Sequence, residues 1–392
     1  MLTADQTAVI KSTVPILEAG GEALTTHFYK IMLADYPQVR PLFNQAHQAS
    51  GTQPSALANG VLMYAKNIDR LQELGSLAGQ IVNKHVALQV LPEHYPIVGA
   101  CLLRAIREVL GQDIATDLVI DAWAAAYQQL ADLLIGAEGE MYDKLAAAPG
   151  GWRGARRFRV AEKISESVEV TSFYLEPVDG EPVAGFTPGQ YLGVRLFIDG
   201  QEARRNYSLS AAPNGRSYRI SVKREPGGLV SNFLHDKLNQ GDTLDVFPPA
   251  GAFVLKDGTN PLVLISGGVG ITPTLAMAEA SLAQGKREVI FLHYARNKAV
   301  HAFEKTLKDW ASRHAQFRHF VVYEHGEQEQ AHALGRPAVE HLQSLLPPDL
   351  NCEVYFLGPK SLMAAIKRFL TTLGVPAERY QYEFFGPAEA LG

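Results

Sequence analysis

Three stretches in the second half of this chain combine residue types suited to binding phosphates and flat aromatic rings. Arg205-Asn206-Tyr207-Ser208 brings together a guanidinium, an aromatic ring and a hydroxyl. A glycine-rich run, Gly267–Pro273, follows the apolar run Leu262–Ile265, and Glu383–Pro387 lies near the end of the chain. Glycine lets a ligand approach the backbone closely, and a helix that begins after such a turn points its positive end at a phosphate.

The first of these stretches predicts a flavin site. Pro188–Tyr191 opens one strand and Arg205–Ser208 lies on another. In this interpretation the tyrosine of the second stretch packs on the flavin ring, its arginine contacts phosphate and its serine donates near the ring. Gly228–Ser231 then offers backbone N–H groups to the pyrophosphate where a helix begins.

The glycine-rich run predicts a second nucleotide site, next to a helix over residues 274–283. It lacks the G-x-G-x-x-G spacing, so on its own it is a weak signal. We expect Gly270 to let the cofactor approach the backbone. Gly358-Pro359 ends a later strand at the same edge of the sheet, which is where such sheets bind ligands.

The periodicity of the apolar residues changes twice and predicts three domains. Residues 1–148 show the one-sided apolar stripes of helices, as in Ile97–Leu110. In residues 152–258, Tyr218–Lys223 alternates as a half-buried strand does, and the short strand-like runs predict a small antiparallel barrel. Residues 259–392 alternate buried strands with helices, which predicts an α/β domain with a parallel sheet.

The composition is that of an ordinary globular protein. With 47% hydrophobic and 20% charged residues and a net charge of −5, the chain has no general reason to bind nucleic acid or anionic lipid. The N-terminus has no basic segment ahead of an apolar run, and no run reaches the roughly 18 apolar residues of a membrane span. Cys101 and Cys352 fall in different predicted domains, which favours the reducing cytoplasm.

Over about residues 153–392 these stretches resemble the ferredoxin-NADP reductase superfamily. The resemblance implies FAD in the barrel, NAD(P)H in the parallel-sheet domain, and Glu383–Pro387 closing over the flavin. Leu357 stands where the family often has a cysteine near the nicotinamide. We therefore expect slower or tuned hydride transfer without its loss, because the hydride moves between the cofactors. The cofactor-binding residues predicted here are Tyr191, Arg205, Asn206, Tyr207, Ser208, Gly228, Ser231, Gly268, Val269, Gly270, Ile271, Thr272, Pro273, Phe384, Phe385, Gly386 and Pro387.

In the helical part, His85 lies on the amphipathic stretch Leu77–Leu88, ahead of a helix start at Pro92. Gln53 and Leu57 are four residues apart and share one helix face. With Tyr29 and Phe43, these residues resemble the globin domain of the flavohaemoglobins, and with the reductase the resemblance covers essentially the whole chain.

That resemblance implies haem b with His85 as the axial iron ligand. It implies that Phe43 packs on the haem and that Tyr29, Gln53 and Leu57 form the distal pocket, where the tyrosine hydroxyl can donate to bound oxygen. Lys84 and Glu383 match family positions between haem and flavin.

The resemblance also places Tyr95 and Glu138 behind His85. By composition Glu140 is an equal candidate, but residues two apart on a helix point about 200° apart, so only one can face the haem. The family pattern E-x-E-x-Y selects Glu138. A carboxylate that accepts from the ligand imidazole strengthens its donation to iron.

The implied function is a nitric oxide dioxygenase: electrons from NAD(P)H pass through FAD to haem, where nitric oxide and oxygen yield nitrate. The alternatives are a haem-based oxygen sensor or carrier, a reductase serving a separate protein, and a lipid-hydroperoxide reductase with lipid in the distal pocket. We expect a cytoplasmic monomer with small-molecule partners and neither nucleic-acid partner nor membrane segment. The preference between NADH and NADPH stays open.

Overall fold

The computed structural model describes residues 2–43, 51–327, 331–386 and 391. The chain divides into two compact units. Residues 1–147 with 199–205 form the first, and residues 148–198 with 206–392 form the second. The predicted boundaries at residues 148, 152 and 258 lie outside the helices and strands, and they remain predictions.

The first unit is helical, as its apolar periodicity predicts. Its α-helices are α1 (Ala4–Ser12), α2 (Val14–Asp35), α3 (Thr52–Lys66), α4 (Gly75–Leu88), α5 (His94–Leu110) and α6 (Asp117–Ala147), with 3₁₀ turns at Pro37–Leu42 and Leu71–Leu74.

Helix α4 ends at Gln89, which has a left-handed backbone (φ 59°) and donates its N–H to the carbonyl of His85 or Val86. Helix α5 begins at His94, two residues beyond Pro92. These two ends fix His85 and Tyr95 on consecutive helices, and α6 runs long enough to carry Glu138 alongside both.

An antiparallel sheet follows the helices, and all of it except residues 201–205 belongs to the second unit. Its strands are β1 (Arg156–Ser165), β2 (Val170–Pro177), β3 (Tyr191–Ile198), β4 (Gln201–Ser208), β5 (Tyr218–Lys223) and β6 (Thr243–Val246), with helix α7 (Leu229–Asp236) between the last two. The order is β4-β3-β6-β1-β2-β5. An antiparallel bridge between Leu209 and Ile220 joins the continuation of β4 to β5, so the two edges meet and the sheet curls toward a barrel.

A parallel sheet completes the second unit. Its strands are β7 (Leu262–Gly267), β8 (Val289–Ala295), β9 (Phe317–Tyr323), β10 (Ala333–Leu334), β11 (Glu353–Leu357) and β12 (Tyr380–Tyr382), and its helices are α8 (Ile271–Gln284), α9 (Glu304–Arg313), α10 (Val339–Gln343) and α11 (Lys360–Leu373). The order is β10-β9-β8-β7-β11-β12, with every ladder parallel. The central strands are buried on both faces, which explains their continuous apolar sequence.

The predicted fold class is confirmed, and so are most predicted elements. The helix predicted over residues 274–283 begins earlier, at Ile271, directly after a 3₁₀ turn at Gly268–Gly270. In the part of the chain that the structure describes, every helix is too short or too polar to cross a bilayer.

Candidate functional site

The strongest feature of the first unit is a three-residue chain of hydrogen bonds. One carboxylate oxygen of Glu138, Oε1, lies 2.7 Å from Nδ1 of His85 and accepts from the Tyr95 hydroxyl at 2.6 Å. The Tyr95 oxygen is 3.3 Å from the same imidazole nitrogen. The residues come from α4, α5 and α6, so the prediction that they meet in space holds geometrically.

The choice between the two glutamates also follows from the structure. Glu138 is 2% exposed, whereas Glu140 is exposed on the other side of α6. Burial raises the pKa of Tyr95 far above its usual range, and the hydrogen bond to the Glu138 carboxylate raises it further. The phenol therefore stays protonated and acts as the donor.

This chain determines which nitrogen of His85 can bind a metal. Because Nδ1 donates to a carboxylate, Nε2 holds the lone pair, and a metal ligand needs that tautomer. The surrounding core is apolar, with Val82, Val86, Ala131 and Leu134 buried in one cluster. The donor set therefore fits a haem iron bound through His85 Nε2.

The predicted distal residues also lie together. The Tyr29 ring meets the Phe43 ring edge-on, with 5.5 Å between centroids, and Phe43 and Leu57 pack on the core that contains Tyr29. Burial raises the pKa of Tyr29 well above its usual range. A hydrogen bond from Gln53 lowers the pKa, but by less than burial raises it. Tyr29 is therefore a neutral hydrogen-bond donor.

Gln53 supplies the second polar group of this pocket. Its Oε1 is buried and makes no hydrogen bond to the residues that the structure describes. A buried amide with one unsatisfied end is costly unless a ligand pairs with it. Together with the Tyr29 hydroxyl, it gives this apolar pocket two polar groups for a small bound molecule, which fits the distal side of a haem.

The flavin stretch lies on β4, so it is on a strand as predicted. Tyr207 and Ser208 are partly exposed and Asn206 is exposed, so their side chains are accessible. Tyr191, at the start of β3, is buried; burial raises its pKa strongly, with a further contribution from Glu383. Glu383 thus lies close enough to the start of β3 to affect the ionisation of Tyr191.

Helix α7 begins where the pyrophosphate was predicted to bind. Gly228 is its N-cap, and no side chain caps the first turn. A Cβ on Gly228 would lie 2.7 Å from Ser231 Oγ and 3.1 Å from the Glu225 carbonyl oxygen, so a larger residue would displace the Ser231 side chain. The uncapped N–H groups of the first turn suit an anion. Ser231 Oγ accepts from the Glu225 N–H at 3.1 Å and so shapes this turn.

The glycines of the nicotinamide turn differ in their surroundings. Gly268 has φ of 52°, is exposed, and a Cβ there would meet nothing within 4 Å. A Cβ on Gly270 would lie 2.3 Å from the Leu357 carbonyl oxygen, and one on Gly267 would lie 2.3 Å from Leu362 Cδ2. At Gly270 the missing side chain makes room for the end of β11, and Gly268 is the position that is open toward a ligand. A cofactor contact at Gly270 stays a prediction.

The residues that follow the turn can offer backbone N–H groups to a ligand, whereas their side chains are buried. Ile271 and Thr272 are buried, and Thr272 Oγ1 donates to the carbonyl of Val269 at 3.0 Å. Pro273 is buried as well. The N–H groups of this first helical turn are the ones suited to a pyrophosphate.

We expect Gly268→Ala to weaken NAD(P)H binding about tenfold, equivalent to roughly 1.4 kcal/mol, because the methyl group enters the open face where phosphates would lie. FAD content should stay unchanged. Gly285→Ala is the matched control, since Gly285 ends the same helix with φ of 66° and equal open space, so it carries the same backbone strain. Titration with NADH measures both; equal losses in the two variants would contradict a role for Gly268 in binding.

The remaining predicted residues occupy different environments. Phe384 packs into the core of the parallel sheet, whereas Phe385 is 49% exposed and available to a ligand. Pro387 lies outside the described residues. Leu357 is buried among apolar core residues, so it offers no polar group at this edge. Lys84 precedes His85 on α4 and is partly buried.

Two supporting tyrosines were missed at the sequence level. The Tyr127 hydroxyl donates to the carbonyl of Tyr95 at 2.6 Å, and the Tyr142 hydroxyl donates to the carbonyl of Val90 at 2.8 Å. Both tyrosines lie on α6, and Tyr142 is the tyrosine of the E-x-E-x-Y pattern. They fix the start of α5 and the loop before it, so they hold Tyr95 in place.

Three families match successive parts of the chain. Residues 26–134 match the globin family, residues 157–255 the oxidoreductase FAD-binding domain, and residues 264–368 the oxidoreductase NAD-binding domain. These ranges contain the hydrogen-bonded histidine, the flavin strand and the glycine turn. The chain is thus an oxidoreductase with haem, FAD and nicotinamide-nucleotide domains.

Relatives of full length show the same combination. The chain is 64% identical over 392 residues to a "Flavohemoprotein" of Pseudomonas aeruginosa and 63% identical to one of Pseudomonas putida, covering 100% of both chains each time. It is similar to the crystal structure of a flavohemoglobin from Malassezia yamatoensis with bound FAD and heme, with a TM-score of 0.86, 28% identity, and coverage of 98% and 100% of the two chains.

The reductase part has its own structural relative. The FAD/NAD-binding domain of a nitric oxide dioxygenase from Vibrio cholerae is 37% identical, with a TM-score of 0.56, and covers 60% of this chain and 100% of its own. Because the full-length relatives share well over half of their residues with this chain across its whole length, the chain belongs to the flavohaemoproteins, which combine a globin with an FAD- and NAD-binding reductase.

Proposed function

We propose that this flavohaemoprotein is a nitric oxide dioxygenase that converts nitric oxide and oxygen to nitrate with electrons from NAD(P)H. The observation that carries the proposal is the Glu138 carboxylate on the Nδ1 side of His85. A carboxylate there makes the imidazole a stronger electron donor, and a strong proximal donor favours oxygen activation over storage. The name of the Vibrio cholerae relative supports the same activity.

Each part of the chain has a defined task in this proposal. Haem iron supplies the site of oxygen chemistry, and FAD converts a two-electron hydride into single-electron steps. His85 would hold the iron through Nε2. Tyr29 would donate a hydrogen bond to a small molecule in its pocket, which Phe43 and Leu57 would keep apolar. Tyr95 orients the Glu138 carboxylate, and so the imidazole.

The reductase residues bind and orient the two nucleotides. The uncapped first turn of α7 would bind the pyrophosphate of FAD. Arg205 would supply charge to a phosphate, and Tyr207 would pack on the flavin ring. The turn at Gly268 and the first N–H groups of α8 would bind the pyrophosphate of NAD(P)H. Lys84 and Glu383 are proposed to tune electron transfer, since each adjoins a predicted cofactor site.

The test is consumption of nitric oxide by the purified protein with oxygen and NAD(P)H, with nitrate measured. Each nitrate takes one electron and a hydride carries two, so about two nitrates per NAD(P)H are expected. Oxygen binding without turnover would favour a carrier or sensor. Rapid reduction of a lipid hydroperoxide without nitrate formation would favour the peroxidase alternative, with lipid in the distal pocket.

We expect Tyr29→Phe to speed oxygen release from the ferrous protein about fivefold or more. The phenol is buried and neutral, and a neutral hydrogen bond is worth roughly 1 kcal/mol net, with more in a dry pocket. Tyr64→Phe is the control, because Tyr64 is buried in the same core but donates to the Ala126 carbonyl. Flash photolysis measures both rates. An unchanged rate in Tyr29→Phe would identify Gln53 or water as the donor.

We also propose that the protein is a cytoplasmic monomer. Cys101 and Cys352 are both buried free thiols, which accords with a reducing cytoplasm. We propose a monomer, because each chain carries a haem site and a complete pair of nucleotide-binding domains. Sedimentation at several protein concentrations would test this.

A further inference from the structure

Two histidines are stacked in the interior of the second unit, outside the sites described above. His293 lies on β8 and is 0% exposed, and His301 precedes α9 and is 3% exposed. Their rings are 4.8 Å apart and 26° from parallel. Within the described part of the chain, the Nε2 atom of each ring is buried without a hydrogen-bond partner. Unpaired buried polar atoms are costly, so this pair calls for an explanation.

The other nitrogen of each ring contacts the end of a strand. His293 Nδ1 lies 2.8 Å from Ser266 Oγ, and Ser266 immediately precedes the glycine turn. His301 Nδ1 lies 2.9 Å from the hydroxyl of Tyr323, the last residue of β9. The contacts therefore cross the carboxyl ends of three neighbouring strands, β7, β8 and β9, at the edge where such sheets bind ligands and where we propose that the nicotinamide nucleotide binds.

Both rings are neutral at ordinary pH. Burial lowers the pKa of His293 far below its usual value, and the neighbouring His301 lowers it further. Burial likewise lowers the pKa of His301 to about 4. A neutral stacked pair does not repel itself, so the chain of contacts from Ser266 to Tyr323 is maintained.

Two residues beyond His301, Phe303 has an unusual backbone. Its φ is 64° and its ψ is 18°, a left-handed conformation that is strained for a bulky side chain. Its ring is buried beneath the Arg219 guanidinium, 5.3 Å from the ring centroid. Arg219 in turn donates to Ser210 Oγ at 3.1 Å and to the Ser210 carbonyl. Ser210 lies two residues beyond Ser208, so Phe303 is linked through Arg219 of β5 to the continuation of the flavin strand.

We propose that the segment 301–303, which we name the bridging segment, sets the position of the nicotinamide turn relative to the flavin strand and so the geometry of hydride transfer. One end of it supports Ser266 through the stacked histidines, and the other packs beneath Arg219 of β5, which donates to Ser210 just beyond the flavin strand. A hydride carries two electrons from NAD(P)H, which becomes NAD(P)⁺, to FAD, which is reduced. Because that transfer depends steeply on separation and alignment, His293, His301 and Phe303 act as positioning residues.

The test is anaerobic flavin reduction by NADH in the full-length protein. The dependence on NADH concentration separates the limiting rate of hydride transfer from binding. His301→Ala should lower the limiting rate about tenfold or more, because small misplacements are costly in such transfers. FAD content should be retained. Faster hydrogen exchange at the amides of residues 267–270 is expected in the same variant, and this readout does not depend on activity.

Two further variants keep the proposal falsifiable. Phe303→Leu keeps a large apolar side chain, although a smaller one, and removes the ring beneath Arg219. It should slow hydride transfer about threefold, as expected for loss of a cation–π contact. Leu346→Ala is the control for general destabilisation, since Leu346 is buried in a different core cluster of the parallel-sheet region. The proposal is overturned if His301→Ala and Phe303→Leu both reduce flavin at the wild-type limiting rate, or if Leu346→Ala slows it equally.

Discussion

His85→Ala is expected to yield a protein that lacks the haem absorption band but still contains FAD. The imidazole is the axial ligand in the proposed site, and its Nδ1 is already engaged by Glu138, so alanine leaves the iron without a protein donor. The FAD-binding family match covers residues 157–255, away from α4 in the sequence, so flavin content should stay at the wild-type level. Absorption spectra and extracted haem and flavin give the two contents independently.

Two additions sharpen this experiment. Free imidazole added to the His85→Ala protein should restore haem binding in part, because it can replace the missing ligand beside Glu138. His94→Ala should keep its haem, since the Nδ1 atom of His94 accepts the Leu91 N–H at 2.9 Å and caps the loop before α5. Full haem retention in His85→Ala, with an unchanged spectrum, would exclude His85 as the ligand.

Glu138→Gln is expected to slow turnover about 10- to 100-fold while haem content stays near wild type. Glutamine preserves the shape and one acceptor oxygen, but it removes the charge that makes the His85 imidazole electron-rich. The ferric iron should then become easier to reduce, because a weaker donor favours the ferrous state. A redox titration measures that change, and nitric oxide consumption measures the turnover.

Glu140→Gln is the internal control, because Glu140 is exposed on the opposite side of α6 and should be almost silent. Tyr95→Phe should give an intermediate effect, since it removes one of the two hydrogen bonds to Glu138 Oε1 but keeps the carboxylate. If Glu140→Gln slowed turnover and Glu138→Gln did not, the proximal carboxylate would have been wrongly assigned. Unchanged redox behaviour in Glu138→Gln would limit that residue to packing.

The fold could be predicted well from the sequence because its signals are local. The stripe Ile97–Leu110 became α5, the alternation at Tyr218–Lys223 became β5, and the apolar run at Leu262 became a central parallel strand. Periodicity reports which face of an element is buried, so it suffices for fold class. It predicts the ends of elements less well: α8 starts at Ile271 because the 3₁₀ turn at Gly268–Gly270 leads directly into it.

The residues of the site could be predicted only where their spacing, or their match to a family pattern, indicated them. The pairing of Glu138 with His85 and Tyr95 was predicted because the resemblance placed all three. The packing of Gly270 against the end of β11 could not be predicted, since a glycine in a sequence does not show whether ligand or protein lies beside it. The stacked pair of His293 and His301 could not be predicted either, because it depends on a loop folding back onto β8.

The packing of the nicotinamide turn on the end of β11 has a consequence for the order of folding. Gly270 fits directly against the Leu357 carbonyl and Gly267 against Leu362, so the turn takes its shape from a segment synthesised much later. Strand β7 is central in its sheet, yet its neighbour β11 follows only after β8, β9 and β10. Contacts between residues distant along the chain form slowly. We therefore expect a chain still emerging from the ribosome to be unable to bind the nicotinamide nucleotide until α11 has been made, even though every residue of its glycine turn is already present.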